Sequence, residues 1–393
     1  MALSVKNSIK KHGWCANLHA ILVTICDSLN MEVIMADRTV IPFGPQHPVL
    51  PEPIHLDLVL EGETVVEAIP KIGYIHRGLE RLVEKKDFLQ YTFVAERICG
   101  ICSFMHGMGY CMSIESIMGI KIPERAEFLR TIWAELSRIH SHLLWLGLMA
   151  DAFGFESLFM HCWRLREQIL DIFEQTTGGR VIFSVCDIGG VRKDIPPEML
   201  EKIKSVMDSI AKELKELTDV FLNDYSVKHR TKGVGVLSKE MAMELGAVGP
   251  MARASGVESD MRKTGYAVYE KLKFEPVIET AGDCYARTTV RIREVFQSIN
   301  LIKQCADLIP DGEIKVKVTG NPNGEHFTRL EQPRGEVIYY SKANGTKFLD
   351  RVRVRTPTFA NIPALMETLK GCQLADVPIL ILTIDPCISC TER

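Results

Sequence analysis

Two short cysteine pairs, separated by almost the whole chain, constrain this sequence more than any other feature. Cys99 and Cys102 lie in the segment RICGICSFMH, and Cys387 and Cys390 lie in the segment DPCISCTER. Four thiolates from two C-x-x-C pairs can enclose a soft metal centre. The fold must then bring residues near position 100 together with residues near position 390. The sequence therefore predicts one metal site that both pairs share.

The spacing within the first segment indicates how its polar side chains are presented. On a helix that begins near position 98, Cys99, Cys102 and His106 are three and four residues apart and fall on one face. Cys111 falls on the opposite face of the same helix, so we expect it to serve packing. The first pair and His106 are therefore expected to point together into the site.

Two other interpretations of the cysteine pairs remain open. A structural zinc ion can be held by four thiolates, although the two halves of such sites usually lie within some tens of residues of each other. A C-x-x-C redox motif is the second alternative, but neither pair follows a thioredoxin-like βαβ pattern. Spacing alone favours a shared metal site, with zinc as the strongest competitor.

Composition excludes several classes of protein. The 393 residues have a net charge of −3, so there is no basic excess to indicate nucleic-acid binding. Twelve cysteines in a chain of this length are too few and too scattered for a disulfide scaffold, and they suit a reducing compartment. No run is long enough to predict a membrane-spanning helix. The sequence is that of an ordinary globular protein.

The N-terminal residues of the chain differ from the rest in that they contain a possible targeting segment. An apolar run at 14–26 follows three lysines and superficially resembles a secretory signal, but no small-x-small cleavage site follows it. Met31 and Met35 are alternative starts. We therefore expect an N-terminal extension or a misassigned start at 1–34, and a single domain at 35–393.

Hydrophobic periodicity predicts a mainly α fold with peripheral β-hairpins, an α+β class with a helical core. The region 124–177 reads as two long helices broken near Phe153 and Gly154. Further helices are predicted at 197–224, 238–245, 287–308 and 363–372.

Strands are predicted in three places. The segments 54–60 and 64–69 form one hairpin, and 336–355 forms another that turns at Asn344-Gly345. A short apolar strand at 377–384 is expected to deliver the second cysteine pair. Pro386 has a fixed φ and no amide proton, so it can end this strand and direct the loop that follows.

The residues around the cysteines carry a family resemblance. The segments RICGICSFMH and DPCISCTER resemble the two signature motifs of nickel–iron hydrogenase large subunits. Four further segments are similar to that family and to its relative, the quinone-site subunit of respiratory complex I: GPQHP (44–48), HRGLE (76–80), SHLLWLG (141–147) and PRGE (333–336). The resemblance covers about 41–393 and is closest to the membrane-associated, energy-converting hydrogenases. It implies a helical core like that of the hydrogenase large subunit.

The resemblance also implies a set of metal ligands. In the family, four cysteines hold nickel, and two of them bridge to an iron that carries carbon monoxide and cyanide. Carried over, Cys99 and Cys387 would be terminal nickel ligands, and Cys102 and Cys390 would bridge to the iron. Soft thiolates suit both metals, and a terminal thiolate such as that of Cys387 is basic enough to accept a proton.

Three further residues match positions that serve the family's metal centre. Arg334 would place a guanidinium over the metals, Glu52 would be the first proton relay, and His106 would hydrogen-bond a bridging sulfur. Without the resemblance, Arg334 would be read as a solvated turn residue, Glu52 as a loop glutamate and His106 as a core histidine.

The chain departs from many relatives at its last residue. Glu80 matches a carboxylate that binds magnesium together with a terminal histidine, but Arg393 stands in the histidine's place. An arginine cannot ligate a cation, so we expect a Glu80–Arg393 ion pair instead of a magnesium site. Many relatives also carry a tail that is removed after nickel insertion. This sequence corresponds either to a mature form or to a member without a tail.

The leading functional hypothesis is a hydrogenase catalytic subunit that interconverts hydrogen with protons and electrons. The resemblance implies a peripheral subunit on the cytoplasmic face of the membrane, with integral membrane subunits as partners and ferredoxin as the indirect electron carrier. A metal-free, quinone-site subunit like that of complex I is the alternative, and His76 would suit either role. A zinc-stabilised scaffold is a third possibility.

Electrons produced at the site need a partner with iron–sulfur clusters, as the family's small subunit has. The remaining cysteines do not show iron–sulfur ligand spacing. These are Cys15, Cys26, Cys111, Cys162, Cys186, Cys284, Cys305 and Cys372.

Overall fold

Helices form the core of the protein and small antiparallel sheets pack against them. The computed structural model describes residues 38–393, so the predicted extension at 1–34 lies outside the described residues. The α+β class predicted from the sequence is confirmed. That 35–393 form a single domain stays a prediction.

The helices account for most of the regular structure. They are α1 (Leu79–Leu82), α2 (Phe88–Glu96), α3 (Ser103–Met118), α4 (Glu124–Ala152), α5 (Glu156–Thr177), α6 (Pro197–Asn223), α7 (Tyr225–Thr231), α8 (Lys239–Glu244), α9 (Pro250–Arg253), α10 (Cys284–Leu308), α11 (Pro357–Leu369), α12 (Val377–Thr383) and α13 (Ile388–Thr391).

The strands form antiparallel sheets. They are β1 (Arg38–Phe43), β2 (His55–Glu61) and β3 (Thr64–Lys71) in the first sheet, β4 (Cys186–Asp187) and β5 (Gly190–Val191) in the second, and β6 (Asn323–Gln332), β7 (Gly335–Asn344) and β8 (Leu349–Arg355) in the third.

Helix α4 is the centre of the core. It packs against α5 and α10, and α10 also packs against α6. The predicted break between the two long helices is confirmed, because α4 ends at Ala152 and α5 begins at Glu156. Gly154 between them has φ +78°, a left-handed conformation that favours glycine and ends a helix.

Both predicted hairpins are present, and each has one strand more than predicted. β2 pairs with β3, and β1 adds to the free edge of β2. β7 pairs with β8 around Asn344, and β6 adds to the other edge of β7. The first half of β6 is exposed and polar, so it lacks the hydrophobic alternation that indicates a strand.

Three local predictions were wrong. The segment 377–384 is helix α12 rather than a strand, because a run that is apolar on every side has no period to distinguish the two forms, and Pro378 suits the first turn of a helix. Helix α11 begins at Pro357, earlier than predicted, and contains Pro363. No helix begins near position 98 in the described chain: α2 ends at Glu96 and α3 begins only at Ser103.

Candidate metal centre

The four cysteines of the two pairs meet in the interior. Their sulfur atoms all lie within 4.8 Å of one another, and each residue is at most 2% exposed. The closest contacts join one pair to the other. Cys99 Sγ lies 3.2 Å from Cys387 Sγ, and Cys102 Sγ lies 3.4 Å from Cys390 Sγ. The two cysteine segments, far apart along the chain, therefore share one buried site.

Both cysteine pairs lie at the starts of helices, and of the four cysteines only Cys390 is inside a helix, α13. Cys102 is the residue that precedes α3, and Cys99 lies in the connection between α2 and α3. Cys387 likewise precedes α13, and Asp385 just before it has φ +56°. Both cysteine pairs therefore point into the interior from the turns that precede helices. The helical face predicted from the sequence would have oriented only the first pair.

Hydroxyl groups hold the second pair in place. The backbone N–H of Cys387 donates to Thr358 Oγ1 at 3.1 Å, and Thr356 Oγ1 donates to the carbonyl of Cys390 at 3.2 Å. Both threonines lie at the start of α11. The residues around Pro357 therefore fix the loop that carries Cys387 and Cys390.

The donor set fits a soft metal centre. A hydrogen bond from Cys102 lowers the pKa of the Cys99 thiol, whereas burial raises the pKa of the Cys390 thiol. Four thiolates this close together in a buried site repel one another unless cations balance them. Bound metal ions can supply that balance, and thiolates prefer soft transition metals. A tetrahedral zinc ion and a nickel–iron pair are both compatible with four cysteine sulfurs.

His106 contacts the second pair from α3. Its Nε2 lies 3.3 Å from Cys390 Sγ, and its Nδ1 lies 2.6 Å from the hydroxyl of Tyr339 on β7. Burial lowers the pKa of His106 to about 3, so the imidazole is neutral. If the Tyr339 hydroxyl donates to Nδ1, Nε2 carries the proton and donates to the sulfur. Sequence reasoning missed Tyr339, which nothing near the cysteine motifs indicates.

Arg334 lies beside the cysteines in the turn between β6 and β7, where it is only 3% exposed. It donates to the Asp385 carboxylate and to the Asp385 carbonyl, both at 2.8 Å, and to Ser141 Oγ at 3.1 Å. Burial by itself would lower the pKa of Arg334, but the charges of Asp385 and Cys387 raise it well above its usual value. The reading of Arg334 as a solvated turn residue is therefore wrong.

A close backbone approach fixes this turn. Gly249 has φ +65°, and a Cβ atom there would lie 2.3 Å from the carbonyl oxygen of Arg334. Only glycine can occupy such a position. The requirement for Gly249, and the roles of Ser141 and Asp385 as partners of Arg334, depend on contacts between distant segments that the sequence does not reveal.

Glu52 approaches the second pair from the loop between β1 and β2. Its carboxylate accepts a hydrogen bond from the backbone N–H of Ile388, the residue after Cys387. Burial, together with the negative charge of Cys387, raises the pKa of Glu52 to about 8. The carboxyl group is therefore protonated at neutral pH and lies beside the cysteine loop.

Glu80 and Arg393 form the predicted ion pair. Arg393 Nε lies 2.9 Å from Glu80 Oε1, Arg353 Nη1 lies 2.8 Å from Glu80 Oε2, and the backbone N–H of Val354 donates to Oε1 at 2.9 Å. Burial would raise the pKa of Glu80, but these hydrogen bonds and the charge of Arg393 lower it. Both carboxylate oxygens are therefore already bound by cationic groups.

This ion pair gives a direct prediction. We expect Arg393→Ala to lower the free energy of unfolding by about 1.5–3 kcal/mol, the usual range for a hydrogen bond to a charged group. Because the pKa of Glu80 is lowered in the folded protein, the pair stabilises above the unfolded-state pKa and its contribution is lost as pH falls. Thermal unfolding of the complex at several pH values measures both effects. Stabilisation of the wild type by magnesium, with its loss in Glu80→Gln, would contradict the ion-pair assignment.

Arg77 joins the two cysteine segments and was missed as a site residue. Its guanidinium donates to the carbonyls of Arg97 (2.9 Å) and Ile98 (2.6 Å) before the first pair, and to the carbonyl of Ser389 (3.1 Å) within the second. Its neighbour His76 contacts the carbonyl of Glu392 through Nδ1 at 3.1 Å. The available signal was the motif HRGLE, but the motif does not identify which side chain makes this link.

The other described cysteines lie apart from this cluster. Cys111 is fully buried in the hydrophobic core, in agreement with the packing role expected for it. Cys15 and Cys26 are outside the described residues.

Comparison with known proteins shows which protein families this chain is similar to. The model of the 49 kDa subunit of respiratory-chain NADH dehydrogenase matches residues 152–320 and 316–393, and the model of nickel-dependent hydrogenases matches residues 77–150. The membrane-bound hydrogenase subunit alpha of Pyrococcus furiosus is 39% identical over 90% of this chain and 87% of the relative. The carbon monoxide-induced hydrogenase of Rhodospirillum rubrum is 40% identical over 90% and 99%, respectively.

Relatives with quinone-linked names are almost as similar. An NADH-quinone oxidoreductase subunit of Desulforamulus reducens is 37% identical over 90% of this chain and 97% of the relative. Among solved structures, a chain of the membrane-bound sulfane sulfur reductase, an archaeal respiratory membrane complex, superimposes with a TM-score of 0.87. It is 32% identical, and the match covers 92% of this chain and 100% of that chain.

These relatives and the structural neighbour identify the chain as an oxidoreductase-family subunit of the kind found in membrane-associated redox complexes. The chain belongs to the family that unites the nickel-dependent hydrogenases with the 49 kDa subunit of respiratory NADH dehydrogenase. Among the described helices, none is both long and apolar enough to cross a bilayer.

Proposed function

We propose that this chain is the catalytic subunit of a nickel–iron hydrogenase that interconverts hydrogen with protons and electrons within a membrane-associated complex. The observation that carries the proposal is the group of four buried cysteine sulfurs within 4.8 Å of one another. A subunit without a metal centre would have no use for four thiols packed this closely, because each additional thiolate raises the electrostatic cost of the site.

The four cysteines divide into two roles. In this proposal Cys99 and Cys387 would hold nickel alone, and Cys102 and Cys390 would be shared between nickel and an iron that carries carbon monoxide and cyanide. When bound, this centre would supply the heterolytic splitting of hydrogen. The contact between Cys390 and His106 suits a bridging sulfur, since a neutral imidazole N–H stabilises a thiolate without ligating the metal.

Protons leave by way of Cys387 and Glu52. The Cys387 thiolate accepts a proton, and Glu52 lies next to it, bonded to the N–H of Ile388. A carboxyl group with a pKa of about 8 can both take up and release a proton near neutral pH, as a relay requires.

Arg334 supplies the permanent positive charge of the site. Three hydrogen bonds, to Asp385 and Ser141, keep its guanidinium fixed beside the cysteines. A preorganised cation in a buried site stabilises developing negative charge without reorganising. Arg334 therefore balances an anionic centre and polarises the bound substrate.

Electrons leave to a partner subunit that carries iron–sulfur clusters. The surface nearest the first cysteine pair includes Val181, which is 42% exposed and whose carbonyl accepts a hydrogen bond from Ser103 Oγ. Arg77, also exposed, lies next to the first cysteine pair, because its guanidinium donates to the carbonyl of Ile98. We place the cluster-bearing subunit on this face, the integral membrane subunits elsewhere in the complex at the cytoplasmic face of the membrane, and ferredoxin as the carrier.

A second candidate is a quinone-site subunit like that of complex I, without metal. The match of the 49 kDa subunit model to residues 152–320 and 316–393 favours it. Metal analysis of the purified complex separates the candidates, since nickel with iron supports the hydrogenase, absence of metal supports the quinone-site subunit and zinc supports a scaffold. Infrared bands of carbon monoxide and cyanide bound to iron are expected only for the hydrogenase.

The relay role of Glu52 gives a further prediction. We expect Glu52→Gln to slow hydrogen–deuterium exchange while nickel and iron remain bound, because glutamine cannot release a proton. The wild-type rate should change near pH 8, where Glu52 passes from protonated below to ionised above, and the variant should lose this step. Glu127→Gln is a matched control, because burial also raises the pKa of Glu127, and the cations that act on this carboxylate are Lys271 and Arg130 rather than any group of the cysteine site. An unchanged rate and pH profile in Glu52→Gln would remove Glu52 from the relay.

A further inference from the structure

The segment 314–318 pairs with the β4–β5 hairpin on one side only. Its sequence is IKVKV, and half-buried residues alternate along it with exposed ones, which is the period of a strand. The backbone N–H of Val191 donates to the carbonyl of Ile314 at 3.0 Å, and the N–H of Val316 donates to the carbonyl of Gly189 at 2.9 Å. The segment 314–318 therefore extends the hairpin as a short outer strand.

The outer edge of this segment carries the backbone groups of Lys315 and Lys317. Consecutive residues of a strand direct their N–H and C=O groups to opposite sides, and Ile314 and Val316 use theirs toward the hairpin. In the described part of the chain, the backbone N–H and C=O groups of both lysines make no hydrogen bond. Such a free strand edge is the structure to which an added strand binds.

Positive charge surrounds this edge. Lys315 forms an ion pair with Asp187, and Arg192 Nη2 lies 3.2 Å from Oδ1 of the same carboxylate. Lys317 is exposed and makes no ion pair with any residue that the structure describes. The residues that line the groove beside the edge thus include three cations and one carboxylate, although the whole chain has a net charge of −3.

The groove has a volume of about 370 Å³ and lies between the segment and helix α2. Helix α2 contributes Leu89, which is 43% exposed, and Phe93, whose ring lies 4.3 Å from the Arg192 guanidinium. Val316 and Val318 line the same groove. Apolar walls next to cationic groups suit an extended segment in which acidic and apolar residues alternate.

The charge of the edge decides which strand can bind there. A second copy of this chain would place lysine against lysine, and like charges that face each other across two strands destabilise the pair. An acidic strand would instead place carboxylates opposite Lys315 and Lys317. The edge is therefore protected from self-association and open to an acidic partner.

We propose that the free edge of 314–318 binds an extended acidic segment of a partner subunit, which joins the β4–β5 hairpin as a further strand. The backbone of the partner would bond to the N–H and C=O groups of Lys315 and Lys317, and its carboxylates would contact the cations of the groove. The inference rests on the proposed function only in requiring a complex. Because it does not involve the metal centre, failure of the hydrogenase assignment leaves it standing.

Hydrogen exchange of single amides in the purified complex tests the backbone contacts. The chain itself provides no acceptor for the N–H groups of Lys315 and Lys317 among the described residues, so a partner must supply any protection. Both amides should exchange as slowly as that of Val316, which is bonded within the chain and serves as the internal reference. Fast exchange of both lysine amides beside a slow Val316 would overturn the proposal.

Cross-linking with a carbodiimide, which joins an amine to a carboxylate in contact with it, identifies the partner in the same complex. Lys317 should be joined to an aspartate or glutamate of another subunit. Lys315 should be joined to Asp187 of its own chain, which is the positive control. A link from Lys317 to a second copy of this chain, or to carboxylates of its own chain alone, would contradict the proposed partner.

Lys317→Glu tests the charge of the partner strand. Replacing an opposite-charge pair by a like-charge pair should speed exchange of the Lys315 amide by about 10-fold. Lys212→Glu is the matched control, because Lys212 is exposed on α6, does not line the groove and makes no ion pair within the described chain. This control should exchange like the wild type. Wild-type exchange at Lys315 in Lys317→Glu would rule out an acidic partner strand.

Discussion

Cys387→Ser is expected to abolish nickel binding and hydrogen–deuterium exchange in the purified complex. A serine hydroxyl is a hard donor that stays protonated at neutral pH, so it cannot replace a thiolate as ligand or as proton acceptor. Removal of a residue that hydrogen-bonds a metal ligand already lowers metal affinity by about 10–100-fold. Removal of the ligand itself should therefore lower metal affinity by more than about 100-fold. Metal analysis and gas exchange measured on the same sample test the expectation.

Cys372→Ser provides the control for this experiment. Cys372 is partly exposed and lies outside the four-sulfur group, so its replacement should leave both metals and the exchange rate unchanged. Wild-type exchange in Cys387→Ser would show that this residue is not a ligand. Equal losses in the two variants would point to a general effect of cysteine replacement on assembly.

Arg334→Met is expected to lower the rate of hydrogen conversion by about 10²–10³-fold, the usual cost of removing one preorganised stabilising group. Nickel and iron should remain bound, because Arg334 is not among the four sulfur ligands. Arg334→Lys keeps the charge but cannot make the same three hydrogen bonds to Asp385 and Ser141, so we expect an intermediate rate. Activity assays with parallel metal analysis distinguish loss of catalysis from loss of the centre.

Arg329→Met is a suitable control, because Arg329 lies on the same hairpin but its side chain is 54% exposed and pairs with Glu336. Its rate should equal that of the wild type. A wild-type rate in Arg334→Met would remove the guanidinium from the mechanism. Loss of metal in Arg334→Met would assign it to assembly of the centre instead.

Local patterns in the sequence predicted much of the helical core. The break near Gly154, the long amphipathic α6 and the turn at Asn344 each depend on residues within one or two turns of one another. The helix α12 was mistaken for a strand because its apolar residues continue around the whole helix, and burial by α4, α10 and α11 explains why. Periodicity cannot identify an element that is buried on every side.

The candidate site was predictable only in part. The two cysteine pairs and the Glu80–Arg393 ion pair could be identified from motifs. Tyr339 and Arg77 could not, because each acts on a residue from another part of the chain. Such contacts arise from tertiary packing, which short spacings in a single sequence do not encode.

The cross-pairing of the sulfurs has a consequence for unfolding. Each close contact joins residues 288 positions apart. Metal ions bound by all four sulfurs would act as a cross-link that closes a very long loop. A disulfide cross-link that closes a loop of about 100 residues lowers the entropy of the unfolded chain enough to stabilise the folded protein by about 5 kcal/mol. The metal-loaded chain should therefore be more stable toward unfolding than the metal-free chain, and removal of the metals should release the carboxyl-terminal segment from this cross-link and make it more sensitive to proteases.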